Sequence, residues 1–213
     1  EFAQSDTMRI NHRKFMFARQ FILIFVAVLG AAAVSGCAER LGLAPETPKS
    51  AAIIVGDEPY AVRAAADVMA QGGNAVDAAT AMYFAMSVSY PVAAGLGGGG
   101  ICLVHNPATD QNEEFDFLAR DAAGGGGFAV PGNVAGFAAV HTAYGSLPWA
   151  RVVSASEGFA ATGFPISQAL ATRLAVSENV IRLDAGLAAE FMDEDGHAKP
   201  AGTIVSNREL ADT

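Results

Sequence analysis

Gly72-Gly73-Asn74-Ala75-Val76-Asp77-Ala78-Ala79 is the stretch from which the fold is read. Two glycines break any helix before them, because glycine takes the left-handed cap conformation without a Cβ clash. Asn74 can then cap a new helix, with Asp77 three residues on, near its positive end. That helix, from Ala75 to about Ser89, is apolar nearly all round: Val76, Ala79, Met82, Tyr83, Phe84, Met86 and Val88 leave no polar face. Such a helix belongs inside a layered core. Pro91 ends it.

Working upstream, Pro59 suits the first turn of a helix running to about Ala70, where its missing N–H leaves nothing unpaired. The apolar run Ala51–Val55, closed by Gly56-Asp57, predicts a buried strand. Downstream, Gly95–Gly100 reads GLGGGG and leads straight into Ile101-Cys102-Leu103-Val104-His105, a predicted buried strand. Asn106–Asp110 is turn chemistry, and Glu114–Leu118 returns as a second strand, so the pair is expected to form an antiparallel hairpin. Gly124–Gly127 is a flexible loop. Pro131-Gly132 opens a helix to about Tyr144, and further helices are predicted over Pro148–Ala160 and Ile166–Asn179. Asp193–Gly196 reads as an acidic surface turn. Ser206-Asn207-Arg208-Glu209 has the form of a capping box only a few residues before Thr213. The chain is therefore expected to be the leading piece of a longer fold.

Composition limits the function classes. The 213 residues are 52% hydrophobic and 16% charged, which excludes a disordered tail protein. Residues 51–213 carry seven Lys/Arg against eighteen Asp/Glu, a net of −11. Phosphate binding needs clustered basic residues, and none occur past Lys49, so nucleic acid is not an expected partner. His12, His105, His141 and His197 stand singly, without a second ligand at zinc spacing, so no metal site is predicted.

The first fifty residues read as an address. Arg9, Arg13, Lys14 and Arg19 precede an apolar run from Phe21, which passes through small residues to Val34-Ser35-Gly36-Cys37. About fourteen helical residues would span about 21 Å, short of a ~30 Å hydrocarbon core, so an export signal is expected rather than a spanning helix. Val-Ser-Gly-Cys resembles the bacterial lipoprotein cleavage box, which makes Cys37 the expected lipidation site and the membrane a partner through that anchor. Several acyl chains would hold stably where one binds only marginally. Residues 1–37 are then a signal segment, 38–50 a tether with Pro45 and Pro48, and 51–213 the folded body. Met8 is a candidate start. The expected location is the periplasm.

Chemistry within the body is sparse. GLGGGG satisfies G-x-G-x-x-G, but a dinucleotide site needs strand, glycines, then helix, and here the order is helix, glycines, strand. There is no G-K-[ST] and no G-x-S-x-G, and no cofactor is predicted. Cys102 and His105 should point to opposite faces of their strand, so Cys102 reads as a packing thiol. Arg120 is the only Lys/Arg between Arg63 and Arg151, and it follows Phe115-Asp116-Phe117-Leu118. Its planar fork could grip a carboxylate; Asp116 or Asp121 could equally neutralise it in a structural pair.

Gly72–Ala79 also resembles the GGNAVDAA signature of gamma-glutamyltranspeptidases, and further stretches follow in that family's order. These are Gly95–Gly100; Val130-Pro131-Gly132-Asn133-Val134-Ala135-Gly136-Phe137; Tyr144–Trp149; and Glu157-Gly158-Phe159 to Gly163-Phe164-Pro165-Ile166-Ser167. The resemblance covers residues 51–213. It implies an α+β fold, the N-terminal-nucleophile hydrolase αββα sandwich, of which only the leading part is expected here. It further implies a self-cleaving precursor whose small subunit begins with a threonine. That threonine attacks gamma-glutamyl amides such as glutathione, with its own amine as base. No residue of this chain matches the threonine, so no catalytic residue is assigned and the chain alone is expected to be inactive. The partners implied are a small gamma-glutamyl substrate and the C-terminal part of the same precursor. In the family pattern D-F-R-E-x-A-P the arginine holds the substrate's α-carboxylate, and the matching position is Arg120. Two departures stand out: Leu118-Ala119 intervene before Arg120, and Gly124 replaces a frequent proline. A non-catalytic lipoprotein remnant and a cephalosporin or glutaryl acylase are the alternative readings.

Overall fold

A computed structural model describes residues 52–213, and these form a compact unit. The signal segment, the tether and Cys37 lie outside the described residues. Helix α1 (Pro59–Ala70) begins at Glu58, whose carboxylate accepts from the Ala61 N–H at 2.9 Å. It ends at Gln71, after which Gly72 has a φ of 91°, the left-handed conformation expected from the glycine pair. Helix α2 (Ala75–Ser89) starts with a reciprocal capping box. The Asn74 side chain accepts from the Val76 and Asp77 amides, and the Asp77 carboxylate accepts from the Asn74 amide at 2.9 Å.

As its all-round apolar sequence predicts, α2 is the central element. It packs on α1 through Ala61, Ala64 and Ala85, and on α4 (Trp149–Thr162) through Ala81 and Val152. Alanines at these contacts let the helix axes approach closely. A second cluster lies beyond it, where Phe164, Ile166, Leu170, Leu174 and Phe191 are almost fully buried. It joins α5 (Gln168–Ile181), α6 (Ala185–Phe191) and the short antiparallel pair β5 (Phe164–Pro165) and β6 (Ile204–Val205). The last helix, α7 (Arg208–Ala211), is capped by Asn207, whose side chain accepts from the Leu210 amide at 2.9 Å. The expected box had Ser206 as cap; the structure moves it one residue.

Strands β1 (Ile101–Asn106) and β2 (Gln111–Asp116) form the expected antiparallel hairpin, with Cys102 opposite Phe115 and Leu103 opposite Glu114; the second strand starts three residues before the expected Glu114 and ends at Asp116, because the tight turn pairs Asn106 with Gln111. The hairpin is followed by β3 (Arg120–Asp121), which pairs with β4 (Ala129–Val130), and then α3 (Asn133–Tyr144). Two sequence expectations fail here. The strand over Ile101–His105 was expected to be buried, yet Ile101 is 58% and Leu103 70% exposed. Likewise residues 52–55 form no strand, and Ile53 and Val55 stand almost fully open. Strand side chains alternate between faces, and no second sheet covers the outer face among the described residues. The strands there pair two by two, so four layers are not assembled within residues 52–213. No helix of the described residues is long and apolar enough to cross a membrane.

Asp77 ties the two ends of the helical layer together. Its fully buried carboxylate accepts from the Asn74 amide, the Ser146 amide and hydroxyl, and the Leu147 amide, with His141 Nε2 3.2 Å away. Burial alone would raise its pKa. The bonds from Asn74, Ser146 and Leu147 outweigh that and hold the carboxyl below the ordinary carboxylate range. With the folded value below the unfolded one, this stabilisation is complete above about pH 4 and vanishes as pH falls through the folded value. Asp77→Asn should lower unfolding free energy by about 1–3 kcal/mol at neutral pH. It should also flatten the acid limb of the stability curve, as followed by urea unfolding across the pH range.

Candidate functional site

The glycine segment is where distant parts of the chain meet. The Gly95 carbonyl accepts from the Tyr83 hydroxyl at 2.9 Å and from Asn133 Nδ2 at 3.1 Å. The Gly98 carbonyl accepts from the backbone amides of Gly132 at 3.0 Å and Asn133 at 3.1 Å. Gly100 exchanges backbone bonds with Phe117, at 3.0 and 3.3 Å. The segment thus extends the β1–β2 hairpin by one pair and clamps the start of α3.

This approach is possible only because side chains are missing. A Cβ on Gly132 would run into the Phe117 carbonyl, and one on Gly136 into the Phe117 ring. That ring also lies 5.4 Å from Phe137, which stacks on Tyr83 at 4.2 Å with the planes 11° apart. Phe117 is therefore held by backbone and by ring, and the chain leaves it in a fixed direction. Three residues later Arg120 emerges, its backbone paired with Val130 in the β3–β4 ribbon.

Arg120 borders an open cavity of about 560 Å³ whose lining includes Glu114, Asp116, Phe117, Val130 and Gly132. Its side chain is 66% exposed, and Nη2 donates to Asp116 Oδ2 at 2.8 Å. The other Asp116 oxygen accepts from the Leu118 amide at 3.0 Å. That amide, together with the guanidinium, keeps the Asp116 carboxyl below the usual carboxylate range against a smaller opposing effect of desolvation. Of the two acids weighed from sequence, Asp116 is the partner. One exposed bond of this kind leaves most of the guanidinium fork free.

Cys102 and His105 alternate as expected. Cys102 is half-buried, and desolvation pushes its thiol up, away from the reactive thiolate. His105 sits 3.0 Å from Asn112 Oδ1 on the exposed face. Asn133 escaped sequence reasoning although it is nearly fully buried and bonds two glycine carbonyls. A signal was present in the polar residue directly after Pro131-Gly132, at a helix start facing a glycine run.

A family model described as Gamma-glutamyltranspeptidase matches residues 61–213. The chain belongs to the gamma-glutamyltranspeptidase family. Glutathione hydrolase 2 of Arabidopsis thaliana is 34% identical over 162 residues, covering 69% of this chain and 28% of that protein. The glutathione hydrolase proenzyme of Pseudomonas aeruginosa is 30% identical over 179 residues, 75% of this chain and 31% of that protein. The crystal structure of Helicobacter pylori gamma-glutamyltranspeptidase superposes with a TM-score of 0.71 at 24% identity, over 79% of this chain and 54% of that one. The chain thus spans under a third of the length of these curated relatives. Its fold class is α+β, that of the N-terminal-nucleophile hydrolases, as the family resemblance implied.

The glycine contacts define a test of how this site is built. Gly132→Ala must push the Phe117 carbonyl away, and overpacking of this sort costs about 1–3 kcal/mol. Gly158→Ala, where a Cβ would meet open space, should be neutral or slightly stabilising on a helix. Chemical denaturation of the two variants side by side measures the difference.

Proposed function

We propose that this chain forms the carboxylate-binding part of a gamma-glutamyl hydrolase or transferase acting on glutathione and related gamma-glutamyl amides. The observation that carries the reading is Arg120, the arginine that the family resemblance matches although two residues later in the chain, on the lining of an open cavity. A guanidinium with free donors suits the α-carboxylate of a gamma-glutamyl group. Glu114 lines the same cavity, and with both oxygens of Asp116 engaged by Arg120 and the Leu118 amide it is the acid left to face an ammonium, so both signs of charge are offered. This favours a zwitterionic gamma-glutamyl end over a glutaryl end, which has no ammonium.

The nucleophile is assigned to the polypeptide corresponding to the remaining length of the relatives, one of which is named a proenzyme. There the threonine hydroxyl of the small subunit would add to the gamma-amide carbon while its amine takes the proton. The C–N bond then breaks, the amine leaves carrying that proton, and water or an acceptor amine releases the glutamyl ester. The apolar surface of Ile53, Val55, Ile101 and Leu103 suits the strands of that missing partner. Cys37 is proposed as a lipid anchor that keeps the exported enzyme at a membrane of the periplasm.

Kinetics on the self-cleaved longer protein test the reading with gamma-glutamyl-p-nitroanilide. Arg120→Ala removes charge-assisted bonds worth about 1.5–3 kcal/mol, so kcat/KM should fall roughly ten- to hundredfold, chiefly through KM. Turnover of a glutaryl amide in preference would reassign the enzyme as an acylase. Absence of turnover by the cleaved protein would leave a non-catalytic remnant.

A further inference from the structure

Arg120 reaches the cavity on a long, flexible side chain that is mostly in water, and such a side chain loses much entropy when a ligand fixes it. The structure supplies a fixed post beside it. Asp116 closes β2, directly before the Phe117 clamp, and its Oδ1 is tied to the Leu118 amide at 3.0 Å. Its Oδ2 then takes a single nitrogen of the guanidinium at 2.8 Å. The backbone of Arg120 is pinned independently by Val130 across the ribbon. Both ends of the arginine are thereby restrained.

We propose that Asp116 is a positioning residue for Arg120, holding the guanidinium by Nη2 at the cavity mouth so that its remaining donors meet a carboxylate ligand already oriented. This rests on Arg120 being the carboxylate-binding residue. It also explains how Arg120 works two residues further along the chain than the family pattern places it. Leu118-Ala119 displace the arginine from the Phe117 clamp, and the i to i+4 bond to Asp116 draws its side chain back toward the end of β2. The opposite role, an internal carboxylate competing with substrate for Arg120, fits less well. Asp116 uses one oxygen on one nitrogen, whereas a competing carboxylate would take the two-bond face of the fork.

The test uses the longer, self-cleaved protein and compares Asp116→Ala, Asp116→Asn and Arg120→Ala. Asp116→Ala should raise KM for gamma-glutamyl-p-nitroanilide about two- to fivefold, the range for an exposed ion pair, with kcat unchanged. Asp116→Asn should recover only part of this, because its single amide oxygen can keep the bond from Nη2 or the bond from the Leu118 amide, and its NH2 accepts neither. In nitrogen relaxation of the Arg120 Nε–Hε group, order should be highest in the parent, intermediate in the Asn variant and lowest in the Ala variant. An unchanged KM with unchanged order overturns the proposal, as does a lowered KM in Asp116→Ala, which marks competition. If Arg120→Ala raises KM while Asp116→Ala does not, this inference alone fails; if Arg120→Ala also leaves KM unchanged, the carboxylate reading fails with it.

Discussion

Everything at the candidate site depends on how closely the Phe117–Ala119 backbone can lie against two glycine-bearing segments. Gly98–Gly100 comes from the entry to β1 and Gly132–Gly136 from the start of α3, and Phe117 is wedged between them. Packed interiors have no slack for an added methyl group at such a point. The wedge borders the cavity directly, because Phe117 and Gly132 are themselves part of the cavity lining. Positioning of Arg120 is therefore a consequence of main-chain packing, with side-chain bonds refining it.

The wedge in turn needs a rigid backing, and α2 provides it. Tyr83 on that helix stacks on Phe137 and bonds the Gly95 carbonyl, while Phe84 meets Trp149 edge-on at 5.3 Å. At the helix start the Asp77 carboxylate fastens the loop between α3 and α4. A buried acid is costly unless its bonds are made, and here four donors make them. The same helix that reads as featureless apolar sequence thus carries a polar anchor at one end and an aromatic stack in the middle, and the site hangs between them.

Much of this was legible in the residues. Helix limits follow from Pro59, Asn74, Pro91 and Gly145 to within a residue or two, since caps and breakers act locally. The hairpin follows from turn chemistry between two apolar runs. Burial of Ile101 and Leu103 was misjudged because apolar composition reports what a side chain prefers, and a covering layer is a property of the whole fold. Residues 52–55 form no strand for a different reason: a strand exists only where a neighbour offers its amides and carbonyls, and none does so among the described residues. At the site, Arg120 was found from its isolation as a cation, and Asp116 was one of two acids that spacing could not separate. The Asn133 bonds to glycine carbonyls involve residues 35–38 positions apart, and no local pattern encodes that.

The charge balance also bears on what the cavity can hold. Residues 51–213 carry a net of −11, and such a body repels anions over distances comparable to the Debye length, about 8 Å at physiological salt. A purely anionic ligand would approach Arg120 against that field and then find Glu114 and Asp116 beside it. A zwitterionic end offsets that repulsion locally even in a ligand that is anionic overall, since its ammonium can face a carboxylate while its own carboxylate faces the guanidinium. On the proposed reading, selectivity for an amino-acid terminus would need no extra pocket, because one cation is set among acids at close range, where the order of charges matters more than their sum.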